Sequence, residues 1–324
     1  MITPSPTADR DREIRITRTY NAPLALVWQA WTKPEHLAKW WGPRGFTITT
    51  HAHELRVGGF WDYTMHGPDG TDWPNFTRYH EVVPESRLVY DHGARAADAK
   101  PMFRVTATFR HLGGRTELDI VMLLETPEAA RETRVFIKMA GGNSTWDRLA
   151  EYVEQQHTQR DVFVIARSFN VPVEQLYDLW TTPEQVVQWL PPAGFTMAFA
   201  QVDMRPGGHA VFVMSNGSDC MHGRFTYHDM HRPDRLVYTQ CFTDGDGNIA
   251  RHPGAPVWPA MLRNTVTFTP EDDGQSRVTI CTEIDGEASE AEMAAFVVER
   301  GGMTRGWTGS FDKLEHMLAA RVGA

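Results

Sequence analysis

Apolar and polar residues alternate with period two across EIRITRTYN (13 to 21) and again across VFVIARSFN (162 to 170). Such alternation, rich in β-branched and aromatic side chains, predicts strands with one buried face. Asn21 and Asn170 then precede Ala-Pro and Val-Pro. Asn caps helix starts and Pro is tolerated in a first turn, so a helix is predicted after each. In the first half the pattern predicts short helices over 23 to 31 and 34 to 40, broken at Thr-Lys-Pro. Strands are predicted over 46 to 56, 59 to 66, 75 to 83, 87 to 92, 101 to 110 and 115 to 124. Turn signals separate them: Gly58-Gly59, GPDG at 67 to 70, Pro84 and Gly113-Gly114. A helical pattern over 127 to 156 closes the half. The second half predicts the same order, with strands over 195 to 205, 208 to 215, 223 to 231, 235 to 243, 260 to 269 and 276 to 284, and a helix over 288 to 320.

The similarity extends to the residues themselves. RTYNAPLALVWQAWTKPEHLAKWWGPRGFTI begins at Arg18, and RSFNVPVEQLYDLWTTPEQVVQWLPPAGFTM begins 149 positions later at Arg167. Trp31 pairs with Trp180, Trp40 with Trp189, and Gly58-Gly59 with Gly207-Gly208. RLVY recurs at 87 to 90 and 235 to 238, TATF at 106 to 109 returns as TVTF at 265 to 268, and DRLAEYV from Asp147 matches DKLEHML from Asp312. A period near 150 residues is too long for a solenoid repeat and describes a duplicated domain. Residues 1 to 11 are expected to form a flexible tail, 12 to 156 a first domain and 160 to 324 a second. Each would be an α+β fold, an antiparallel sheet whose apolar face is covered by the C-terminal helix.

Each copy carries, in order, N-A/V-P followed by W-T-x-P-E and a Trp, then G-F-T, R-x-G-G and P-x-R-L-V-Y. The second copy ends in GWTGSFDKLEHML at 306 to 318, where the first offers GGNSTW at 141 to 146. This pattern resembles the heat-shock protein 90 ATPase activator homologue (AHSA-type) family of the START-like, Bet v 1-like SRPBCC superfamily. The resemblance implies a helix-grip fold in both halves. The superfamily includes lipid carriers, hormone receptors and polyketide cyclases. It therefore implies an apolar cavity between sheet and helix, filled by a small hydrophobic or aromatic molecule. The alternatives are a cyclase- or hydrolase-type enzyme built on that cavity and a co-chaperone-like accessory protein.

Strand alternation places Trp61, Tyr63 and Met65 on one face, followed by Tyr79 on the next strand and Tyr90 and His92 on the strand after it. Their counterparts in the second copy include Phe212, Met214, Phe225, Tyr227 and Tyr238. The covering helices would add Phe136 and Met139 in the first copy and Met303 and Trp307 in the second. The DGDGNIARHPGAPVWPAM segment at 244 to 261 is longer than its counterpart and offers Trp258 as a lid residue. These side chains either line a ligand cavity or fill a core. The copies differ at Trp61/Ala210, Asp62/Val211 and His92/Gln240, so one cavity could be filled while the other is open.

An enzyme would need a His beside a carboxylate. Asp62, His66, Tyr79, His80, Asp91 and His92 in the first copy, and His209, Cys220, His222, Tyr227 and His228 in the second, are placed near the expected cavity mouth. His51 and His53 lie two apart on one strand, which predicts both rings on one face, but no third ligand follows by spacing and no metal is expected. GPDG and DGDG read as hairpin turns, Lys138 reads as exposed, and no cofactor motif is recognisable.

The net charge of −9 lacks the basic footprint that nucleic-acid binding needs. No apolar run approaches the length of a spanning helix. The polar, Pro-containing start of the chain lacks the apolar core of a secretory signal. Cys220, Cys241 and Cys281 are odd in number and show no CxxC spacing. They read as small buried hydrophobes of a reducing, cytoplasmic setting. Duplication also raises the expectation of an intramolecular pseudo-dimer or a homodimer.

Overall fold

The computed structural model describes residues 7 to 93, 100 to 139, 143 to 252, 254 to 271 and 274 to 322. The chain divides into two compact units, Met1–Arg160 and Asp161–Ala324. The first unit begins with a helical turn, α1 (Thr7–Arg10), where a tail was expected. The Asp9 carbonyl and carboxylate both accept from Arg12, which closes that turn. Then follow β1 (Glu13–Tyr20), α2 (Leu24–Thr32), α3 (Pro34–Trp40), β2 (Thr47–His53), β3 (Phe60–His66), β4 (Asp72–Val83) and β5 (Arg87–His92). β6 (Phe103–Leu112), β7 (Arg115–Leu123), α4 (Pro127–Met139) and α5 (Ser144–Thr158) complete it. The second unit runs β8 (Val162–Phe169), α6 (Val173–Thr181), α7 (Pro183–Trp189), β9 (Thr196–Val202), β10 (His209–Ser215), β11 (Cys220–His231) and β12 (Arg235–Thr243). β13 (Ile249–Ala250), β14 (Met261–Pro270), β15 (Ser276–Ile284), α8 (Glu290–Val298) and α9 (Arg300–Val322) end it.

Each unit has one antiparallel sheet. The strand orders are β1-β7-β6-β5-β4-β3-β2 and β8-β15-β14-β12-β11-β10-β9, with β13 paired to β12. The register shifts at His51 and His80 in the first sheet and at the matching Ala200 and His228 in the second. Such bulges add twist, so the same two positions bend each sheet around its helix. The R-x-G-G motif locks one bend. Gly58 takes φ +75°, and its N–H donates to the Tyr79 carbonyl while Gly59 accepts from the Tyr79 N–H. A Cβ on Gly59 would stand 2.1 Å from the Glu54 carbonyl, so only glycine fits.

The terminal helices depart from the expected single spans. The first copy breaks into α4 and α5, and the second breaks at Glu299 between α8 and α9. The Gly141-Gly142 pair of the first break lies outside the described residues, as does the Lys138 side chain. Asn21 does not cap α2. Pro23 holds that position, and the Asn21 amide donates instead to Glu154 of α5 at 2.8 Å.

The cation that follows Asp147 or Asp312 ties each terminal helix to the loop after the helix pair. The half-buried Arg148 guanidinium donates to the carbonyls of Gly42 at 2.8 Å, Pro43 at 3.0 Å and Phe46 at 3.1 Å. Lys313 donates to Pro191 at 2.7 Å and Pro192 at 3.0 Å. Burial pulls the Arg148 pKa down to about 10, which leaves it charged at neutral pH. Replacing Arg148 by Met keeps the stem but leaves several carbonyls without a donor. The expected loss for the first domain is about 2 kcal/mol. Urea unfolding reads it, with exposed Lys33→Ala expected to change little.

Candidate functional site

Rings occupy the concave face of the first sheet. Trp61 stacks on Tyr63 at 3.9 Å between centroids, and Trp41 meets Trp61 edge-on at 5.0 Å. The Trp41 indole donates to the Tyr63 hydroxyl at 3.2 Å, and Trp61 donates to Thr50 at 3.1 Å. Trp146 of α5 stacks on Trp31 at 5.6 Å, which joins the covering helix to the helix pair. Tyr79 and Tyr90 are buried beside them, and His53 meets the Tyr79 hydroxyl at 3.1 Å. Met65 packs against this cluster. Burial raises the pKa of all three tyrosines, so they stay protonated hydrogen-bonding groups.

The second sheet fills its face by a different arrangement. Trp61 of β3 faces Thr77 of β4 across the ladder. In the second copy the same pair is Ala210 and Phe225. The large ring has moved one strand over at the same register position. Phe225 stacks on Phe212 at 4.5 Å, and a Cβ on Gly223 would sit 2.3 Å from the Phe212 ring. Asn75 stands at the Gly223 position in the first copy, opposite Tyr63. Tyr227 and Tyr238 are buried, while Met214, Trp258, Met303 and Trp307 pack against the cluster. Trp307 stacks on Trp180 at 5.8 Å.

A crevice opens at one end of this face. Phe212, Gln240, Cys241, Phe242, Trp258, Pro259, Ala260 and Leu262 line it, and it has about 20 Å³ of space, room for one water molecule. Trp258, Pro259 and Ala260 form one side of it. Arg251 donates to the Trp258 carbonyl at 3.0 Å and pairs with Glu292 of α8, and the Trp258 ring lies 6.0 Å from Phe296. Glu292 also accepts from the Ser289 N–H in a capping box. These bonds hold the Glu292 carboxyl down to about 2.

Next to the crevice, three inward-facing polar residues sit on neighbouring strands. Leu262, Asn264, Val266 and Phe268 alternate inward along β14, and Asn264 is 1% exposed. Thr282 donates to Asn264 at 2.7 Å, and Asn264 donates to Gln240 at 3.3 Å. At the matching positions the first copy has Met122, Val105 and His92. The sequence pattern drew attention to His92 and Gln240 but missed Asn264 and Thr282. Their signal is one polar residue at an inward step of an otherwise apolar alternation.

Several expectations are corrected. Phe136 is 63% exposed, because α4 turns Ala130 and Ile137 inward and so points Phe136 away. The Met139 side chain lies outside the described residues. The His–carboxylate pairs do form, but away from the concave face. His66 meets Asp72 at 2.6 Å, and His80 meets Asp91 at 2.7 Å, where Arg104 also binds. Asp91 and His80 alternate with inward Tyr90 and Tyr79, which puts them on the outer face. The bulge at His51 separates the two strand histidines: His51 bonds to Thr64, while His53 turns in to Tyr79. Among the described residues no group of three His, Cys, Asp or Glu is placed to hold a metal. Cys220 is exposed, at variance with its expected burial, while Cys241 is buried.

Comparison with known families fits this geometry. The model of the Activator of Hsp90 ATPase homolog 1-like protein family matches residues 21–154 and again 170–319. The chain belongs to that family. It carries two tandem domains of that family, each with the antiparallel sheet and covering terminal helix described above. No curated protein matches it. Among solved structures, a protein of Nitrosomonas europaea is 25% identical over 46% of this chain and 97% of its own, with a TM-score of 0.42. A Chromobacterium violaceum protein is 28% identical over 44% and 97%, with a TM-score of 0.37. The di-domain ARO/CYC BexL from the BE-7585A biosynthetic pathway is 12% identical over 94% and 98%, with a TM-score of 0.38. Among the described residues no helix is long and apolar enough to cross a membrane.

His92 stacks on Phe103 at 4.8 Å, and burial lowers its pKa to about 4. The unfolded chain binds a proton here near pH 6.5, but the folded chain does not. Stability from this residue is full above pH 6.5 and is lost as pH falls toward 4. His92→Gln, the residue of the second copy, is expected to flatten that part of the pH–stability curve. An NMR titration of the wild-type ring checks the cause and should show no protonation at pH 6.

Proposed function

We propose that the second domain binds a small hydrophobic or aromatic molecule between its sheet and terminal helices, beneath Trp258. The first domain is its filled counterpart. The crevice under Trp258 is the observation that carries this reading. It is walled by apolar groups with a few polar ones at one end, the usual composition of a small-molecule site.

The closed crevice is too small for such a ligand, so the roof must yield. Two features support that motion. Arg251, which holds the Trp258 carbonyl, is tied to α8 by an exposed ion pair with Glu292 that water screens. The α9 helix carries Gly301, Gly302, Gly306 and Gly309 in its first half. Each weakens a helix by about 1 kcal/mol relative to Ala. Met303 and Trp307 in that half are only partly buried, whereas Phe311 and Leu314 beyond it are fully buried. The helix is therefore firmer in its second half, where it covers the core, than in its glycine-rich first half. In the first domain, by contrast, Trp41, Trp61 and Trp146 bridge sheet and helices ring to ring.

An enzymatic role on the same cavity is disfavoured by the outward placement of His66–Asp72 and His80–Asp91. Native mass spectrometry of the full chain, compared with the denatured chain, tests for a carried molecule. Titration with 2-acetylnaphthalene, followed by backbone NMR shifts, tests for site and affinity. Shifts are expected around Phe212, Trp258 and Leu262 and not around Trp61. Ala260→Trp is expected to weaken binding at least tenfold by filling the crevice. Shifts confined to the first domain, or no binding, would sink the reading.

A further inference from the structure

We infer that the molecule held in the second domain is uncharged and presents a hydrogen-bond acceptor of the carbonyl class to Gln240. This rests on the reading that the crevice is a ligand site, and it adds the chemistry of the ligand's head.

The argument follows the protons. The Thr282 hydroxyl has one hydrogen, and it goes to the Asn264 side-chain oxygen at 2.7 Å. With that oxygen accepting, the Asn264 amide nitrogen faces Gln240 and donates to its side-chain oxygen at 3.3 Å. The Gln240 amide nitrogen is then left over, and Gln240 itself lines the crevice. Among the described residues no hydrogen bond engages that nitrogen. The relay thus delivers a donor to the inner wall of an apolar space, and a carbonyl, ester or quinone oxygen would complete it.

Packing does not require these residues. Val105 and Met122 fill the same two steps in the first copy and are buried there. A buried Asn–Thr pair contributes little net stability over a well-packed apolar pair, because its gain is offset by desolvation. What it supplies is a fixed orientation for Gln240. Charge is excluded by the same wall. The lining residues include no Lys, Arg or His, and an ionised ligand group would lose its water without gaining a counter-charge.

The test uses the full-length protein and three matched probes: 2-acetylnaphthalene, 2-isopropylnaphthalene and the 2-naphthoate anion, at pH 7.5. The ketone is expected to bind at least fivefold tighter than the hydrocarbon, with naphthoate the weakest. Gln240→Leu and Asn264→Val are each expected to bring ketone and hydrocarbon to equal affinity, with the hydrocarbon's own affinity kept. Gln240 is partly exposed, so its variant folds even if Asn264→Val does not. Equal binding of ketone and hydrocarbon by the wild type overturns this inference and leaves the ligand site standing. So does discrimination that survives both substitutions, or naphthoate binding tightest. Binding of none of the three overturns the ligand site as well.

Discussion

The Trp40 indole N–H donates to the Ala30 carbonyl at 2.9 Å from a site with no solvent exposure, and Trp189 does the same to Leu179 at 3.0 Å. Each acceptor lies in the last turn of the preceding helix, where carbonyls have no partner within the helix. One side chain therefore satisfies a helix end and fixes the angle between the two short helices. The rest of each domain is built outward from that corner. Trp31 and Trp180 pack on these indoles at 5.5 and 4.6 Å, and the terminal helix stacks on them in turn. Removing so large a fully buried side chain costs about 3–5 kcal/mol, a large share of a domain's stability.

With the corner fixed, the concave face is a volume that side chains or a guest must occupy. The first copy fills it with indoles contributed from the α3–β2 junction, β3 and α5. The second replaces Trp41 by Leu190 and Trp61 by Ala210, and recovers part of the lost volume with Phe225. The duplicated scaffold is the same, and the difference in how its concave face is filled follows from a few side chains placed on it.

Much of the scaffold was legible in the sequence because its causes are local or periodic. The alternation of EIRITRTYN, the Pro34 and Pro183 starts of the second helices and the glycine pair of R-x-G-G each act within a few residues, and the repeat confirmed them. What depends on pairing across strands was not legible. The bulge at His51 is visible only in the register, and it decides that His53 faces inward. Phe136 was misplaced because the expected helix over 127 to 156 forms as two, and the inward face of α4 carries Ala130 and Ile137 instead. Asn264 and Thr282 drew no notice, because their bonds to each other and to Gln240 form only when three strands align.

The exchange of Trp61–Thr77 for Ala210–Phe225 also bears on the history of the gene. Tandem copies of a coding sequence tend to be homogenised by recombination. A crossover falling between the codons of β3 and β4 would set Trp opposite Phe in one product and Ala opposite Thr in the other. The first overfills the layer and the second leaves a void, and both penalties apply to a fully buried position. The two positions are therefore compatible only as a pair, and neither replacement is tolerated without the other.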